Sequence, residues 1–155
     1  MGQRLTHLPE TLSAVAESLP ARVKKYFSAL DTLDADAVAS FFAAGATVRL
    51  PGLAPILGRA AIRLALVQFS LDVDELRHAP VHLWTAGGLS VFEADMTLTL
   101  ADRTTLAFPV THIVRWMDGL IHEARVNVYL ESRIAVAMSA YDRMRTAGCQ
   151  LRRPA

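Results

Sequence analysis

The chain has 155 residues, 52% of them apolar and 20% charged, which suits one domain with a sizeable core better than two. Sixteen basic against fifteen acidic side chains leave a net charge of +1, so no broad field draws nucleic acid or an anionic membrane. The single cysteine, Cys149, cannot close an internal disulfide, and no Cys/His cluster has metal-ligand spacing, so a cytoplasmic protein without metal or cofactor is expected. No apolar run approaches the roughly 18 residues of a spanning helix, and the N-terminus lacks a signal peptide's apolar centre. The opening MGQRLT fits a myristoylation pattern too short to carry a lipid assignment.

Pro9 opens a helix over 9–19, and Pro20 is expected to end it and begin another, because proline suits a first turn and breaks an interior. In the second helix Val23, Tyr26, Phe27 and Leu30 form one buried stripe, with Arg22, Lys24 and Lys25 facing outward. Asp34 suits the N-cap of a third helix that carries Val38, Phe41 and Phe42 and ends at Gly45. A strand over 46–50 meets a Pro/Gly-rich loop, and 59–70 is a helix with Ile62, Leu66 and Phe69 on one face.

Beyond residue 76 the period changes from helical to alternating. VFEADMTLTL, residues 91–100, alternates apolar and polar side chains, as a strand with two different faces does. Gly87-Gly88, Ala101-Asp102-Arg103 and Asp118-Gly119 divide the region into four antiparallel strands, 76–86, 89–100, 104–117 and 120–130. A final helix over 131–147 stacks Ile134, Met138 and Tyr141 before Gly148 caps it. Helices preceding an antiparallel sheet define an α+β fold.

The run YFSALDTLDADAVASFFAAGATVRLP, followed by GRAAIR, resembles the opening of ketosteroid isomerases and their SnoaL-like relatives in the nuclear transport factor 2-like superfamily. ADRTTLAFPVTH and DGLIHEARV extend the resemblance over residues 23–130. It implies a single domain over 1–155 shaped as a cone: a strongly curved, mostly antiparallel sheet wraps around N-terminal helices and leaves an apolar pocket. The arm 1–20 and the helix 131–147 are then extensions. Members include isomerases, dehydratases, polyketide cyclases, epoxide hydrolases and domains that only bind partners.

The resemblance places Tyr26 where the isomerases keep the tyrosine that hydrogen-bonds the developing enolate oxygen. It places Leu50 at their proton-shuttling aspartate and Thr111 at the protonated aspartic acid of the oxyanion hole. Leucine cannot take a proton, so steroid isomerisation itself is not expected. Tyr26 also reads as a packed tyrosine with a satisfied hydroxyl, and Thr111 as an ordinary strand threonine. Four histidines, His78, His82, His112 and His122, fall in or near the sheet, and imidazole is the usual base at neutral pH. His82 and His112 are the pair expected to approach across strands, with structural histidines as the alternative. Arg49 and Arg63 flank the loop and read as solvated or salt-bridged arginines.

On strand 91–100 the apolar set, Phe92, Ala94, Met96, Leu98 and Leu100, is expected to face inward, since burying Glu93 and Asp95 unpaired is costly. Limonene epoxide hydrolases are similar in adding a C-terminal helix, but Glu93 stands where they place an arginine, and Asn127 matches their second aspartate only after a one-residue shift. On the closing strand Glu123, Arg125, Asn127 and Tyr129 share one face, which implies an outer polar surface suited to a homodimer. Leu50, Leu53, Ile56, Leu57, Phe92, Met96 and Val126 are the candidate lining for a hydrophobic small molecule. Three functions fit: an isomerase, lyase or cyclase working by proton transfer on a hydrophobic cyclic substrate, a non-catalytic apolar-ligand pocket, or a dimeric protein-interaction module.

Overall fold

The computed structural model describes residues 10–129. Helix α1 (Glu10–Asp31) runs without a break and holds Pro20 in its interior, so the expected pair of helices is one. An interior proline costs about 3 kcal/mol through its lost N–H and its clash with the preceding turn. Here good helix formers on both sides and the buried stripe of Val23, Tyr26 and Phe27 outweigh that cost.

Asp34 caps α2 (Ala35–Ala39) as expected, its Oδ1 accepting from the Asp36 and Ala37 amides at 3.0 and 2.9 Å. The helix stops after five residues, and β1 (Phe42–Arg49) takes over residues expected to be helical through Gly45. Phe42 is 2% exposed and pairs with Ile121, which is fully buried, so sheet pairing overrides the local helical spacing. A two-residue strand, β2 (Ile56–Leu57), was not legible in the loop and pairs antiparallel with β1. Helix α3 (Arg59–Ser70) comes next with its expected bounds. Strands β3 (Val73–Ala86), β4 (Leu89–Leu100), β5 (Thr105–Met117) and β6 (Leu120–Val128) lie nearly where alternation and turns place them.

The sheet is open, in the order β2-β1-β6-β5-β4-β3, with β1 and β6 parallel and the other pairs antiparallel. Register shifts interrupt β1 between Phe42 and Thr47, β3 between Val73 and Glu75 and between Pro80 and His82, and β6 at His122, opposite the step from Arg115 to Trp116. Each extra residue bends its strand and tightens the twist, which curves the sheet around the helices. Asp118 and Gly119 both have positive φ, 50° and 77°, the conformation of the two-residue hairpin turn that Asp-Gly favours.

On the concave face Val23, Tyr26 and Phe27 of α1 and Ile62 and Ala65 of α3 join one core with Phe92, Ala94, Val110 and Val114. Phe92, Ala94, Leu98 and Leu100 are buried while Asp95 is exposed, so the apolar set of β4 faces the helices as expected. The expected helix over 131–147, and Cys149, lie outside the described residues.

Candidate functional site

Asp31 is the last residue of α1, and that helix packs against β3. Its carboxylate grips one residue twice: Oδ1 lies 2.6 Å from Nδ1 of His78, and Oδ2 accepts the His78 backbone N–H at 3.2 Å. The His78 side chain is 2% exposed and that of Asp31 31%, so the carboxylate bridges solvent and core while the imidazole is fully inside. His78 pairs across the sheet with Met96 of β4, on the apolar face.

His112 reaches the same space from β5, where it pairs with Phe92 on one side and Val126 on the other. The two imidazoles lie 5.2 Å apart at an interplanar angle of 68°. Strand β4 separates their strands, and between Phe92 and Met96 it presents only Ala94, too small to hold the rings apart. Phe27 of α1 touches both imidazoles edge-on, at 5.3 and 4.9 Å, and stacks on Phe92 at 3.8 Å. Nε2 of His78 and both ring nitrogens of His112 are buried with no hydrogen-bond partner among the described residues. Burial, with the His78 ring close by as the smaller electrostatic cause, pushes the pKa of His112 down from 6.5 to about 3. His112 is therefore a neutral imidazole throughout the physiological range, with one N–H donor and one lone pair.

The pair expected between His82 and His112 does not form. The bulge between Pro80 and His82 inserts one residue into β3 and reverses the in–out parity of the rest of the strand, so His82 opposes Glu93 on the outer face. There its Nδ1 lies 3.2 Å from Glu93 Oε2, and its ring stacks on Trp84 at 5.1 Å. The partner of His112 is His78, four residues earlier and on the concave side.

Thr111 pairs with Glu93 and Asn127 and shares their outer face. The oxyanion-hole position that the resemblance gave it is corrected, because the side chain entering the core at this point is that of His112. Tyr26 is 3% exposed and packs its ring edge-on against Phe27, Phe41, Phe42 and Trp116, and burial raises the pKa of its hydroxyl far above the ordinary value. His122 is the extra residue of β6 between the pairs Arg115–Glu123 and Trp116–Ile121, and is partly buried.

Of the expected lining, Ile56 and Phe92 are buried in the core, and Leu50, Met96 and Val126 pack partly buried against it. Leu53 sits half-buried in the loop, its amide donating to the Leu50 carbonyl. Leu57 is 63% exposed: it adjoins Ile56 on a strand, so the two point to opposite faces, and Leu57 drops out of the lining. Arg63 pairs with Asp36 and Arg49 with Glu123, the salt-bridged alternative in both cases. The pairing of Asp31 with His78 is what the sequence did not disclose. The usable signal was that Asp31 ends a helix just before a turn, and that His78 shares the apolar parity of Leu76.

Among the described residues no group of three or more His, Cys, Asp or Glu is placed to hold a metal ion, and no helix is long and apolar enough to cross a membrane. The chain belongs to the SnoaL-like domain family, whose model matches residues 23–124. No curated protein matches it. Solved structures share the fold of the nuclear transport factor 2-like superfamily. One is a Catenulispora acidiphila protein with a ketosteroid isomerase-like fold in complex with trimethylamine, 20% identical, with TM-score 0.67 over 73% of this chain and 88% of that one. A putative SnoaL-like polyketide cyclase from Shewanella denitrificans is 14% identical, with TM-score 0.69 over 77% and 96%. An epoxide hydrolase/cyclase-like enzyme with a role in pyran ring formation in the polyether salinomycin is 22% identical, with TM-score 0.66 over 74% and 93%. At these identities the likeness is one of fold.

Proposed function

We propose that this protein is a proton-transfer enzyme, an isomerase, lyase or cyclase acting on a hydrophobic cyclic small molecule, with His78 as general acid–base. The observation that carries this reading is the buried Asp31–His78 pair, whose Nε2 has no partner among the described residues and whose ring lies beside a second imidazole, also without a partner. A buried polar atom left unpaired costs about 1–3 kcal/mol, and three of them in one place are kept where a ligand completes them. Asp31 fixes the ring and stabilises the imidazolium that forms when Nε2 takes a proton from the substrate; the same nitrogen then returns it. Phe27, Phe92 and Met96 supply apolar walls, which suits a hydrophobic ring.

Leu50, partly buried against the core where the isomerases keep their base, supports a second reading as a non-catalytic pocket for apolar ligands. The outer sheet face carries Arg49, Arg115 and Arg125 around Glu123 on one side and Glu93 and Asp95 on the other, which supports a homodimer in which a second copy matches basic to acidic halves.

A panel of apolar cyclic hydroxy and oxo compounds, incubated with the protein in D2O and followed by NMR for solvent deuterium uptake, loss of water or ring closure, tests the reading. Turnover that falls by roughly 10²–10⁴ in His78→Gln is the expected result. Turnover unchanged in His78→Gln, or binding without turnover of any compound, rejects the catalytic role.

A further inference from the structure

We infer that the group this site recognises is an uncharged hydroxyl, which donates to Nε2 of His78 and accepts from the ring N–H of His112. The inference rests on the proposed function in placing the ligand at His78, and adds which chemistry the ligand must present there.

Asp31 sets the first half. Both carboxylate oxygens face nitrogens of His78, one the backbone N–H and the other Nδ1, and a carboxylate has no proton to offer either. Nδ1 therefore carries a ring proton, and in the neutral imidazole that leaves Nε2 as a lone pair asking for a donor. His112 sets the second half: neutral, with both nitrogens buried and unpartnered, it presents one N–H and one lone pair. The two rings together offer two acceptors and a single donor.

Besides His78 and His112, the buried side chains with polar atoms among the described residues include Ser90, committed to Trp116, whose Nε1 donates to its hydroxyl at 3.1 Å, and Tyr26, whose ring packs against Phe27, Phe41, Phe42 and Trp116. The arginines among the described residues are on the surface, and Arg59 donates to the Phe42 carbonyl. A carboxylate or phosphate would bring only acceptors, and a charge, into a site where the described residues bury no cation to meet it. A ketone satisfies the His112 N–H and leaves Nε2 unpaired. A hydroxyl satisfies both with one oxygen. At ordinary hydrogen-bond lengths one oxygen bridges nitrogens up to about 5.6 Å apart, and the centroids of the two rings lie 5.2 Å apart. The proton that moves to Nε2 then leaves oxygen rather than carbon, its electron pair staying on the oxygen.

The test uses the whole ¹⁵N-labelled chain with three probes of one shape, 1-indanol, 1-indanone and indane-1-carboxylate, and reads affinity together with the imidazole ¹⁵N resonances. Indanol is expected to bind at least tenfold more tightly than either analogue and to move both His78 Nε2 and a His112 nitrogen, with the ketone moving His112 alone. Equal affinity for the ketone or the carboxylate, indanol binding that leaves Nε2 unmoved, or no indanol binding at millimolar concentration overturns the inference. Indanol recognition without turnover of any compound in D2O rejects the enzyme and keeps the hydroxyl site. Turnover that depends on His78 without preference for the alcohol does the reverse.

Discussion

The two core histidines differ because of one carboxylate. His78 has Asp31 against Nδ1, whereas His112 has ring contacts with Phe27, Phe92 and His78 and no hydrogen-bond partner among the described residues. That difference makes stability depend on pH. The unfolded chain protonates His112 near its ordinary value of 6.5, but the folded chain resists until about 3. Between those values the unfolded state binds more protons, so stability falls as pH drops, by up to about 1.4 kcal/mol per pH unit. Denaturant unfolding at closely spaced pH values from 6.5 to 5, above the range where carboxylates titrate, is expected to show this slope in the wild type and its loss in His112→Leu. Equal slopes in the two proteins contradict the buried neutral imidazole.

At the scale of elements, the positions of side chains depend on where strands change register. A single inserted residue between Pro80 and His82 sends His78 inward and His82 outward. Alternation, aromatic content and Gly/Asp turns made β3 to β6 legible in the sequence, because each rests on neighbours close along the chain. The bulge was not, since it is fixed by pairing with β4, and with it went the right partner for His112. The same limit hid the first half of β1, whose Phe42 is drawn into the sheet by Ile121 from the far end of the chain. The turn between β3 and β4 shows how tightly such joints are built. Gly88 has φ +78°, and a Cβ there would meet the Trp116 carbonyl oxygen at 2.8 Å. Gly88→Ala is expected to destabilise the fold by about 1–3 kcal/mol, read from the denaturation midpoint, because both the backbone conformation and the neighbouring carbonyl oppose it. A midpoint within experimental error of wild type contradicts that packing.

At the scale of the molecule, the curved sheet separates two environments. Its concave side buries the histidine pair beneath α1, and its convex side is a polar surface with a basic and an acidic half. The family resemblance made the cone legible and identified residues by position, but it pointed to Tyr26, Leu50 and Thr111 rather than to Asp31, because a helix end and a strand meet only in three dimensions. If the convex face joins two copies, light scattering reports a dimer that weakens in high salt and in Arg125→Glu, since exposed ion pairs are screened. A monomer at all salt concentrations contradicts this assembly.

The proposed chemistry turns on the protonation of His78, and imidazole ¹H–¹⁵N correlation spectra of the whole protein at neutral pH report it directly. The expected result is a His78 ring protonated at Nδ1 with an unprotonated Nε2, an arrangement lost in Asp31→Asn, beside a neutral His112. A His78 protonated at Nε2, or an arrangement indifferent to Asp31→Asn, contradicts the central claim that Asp31 prepares His78 to take a proton from a substrate.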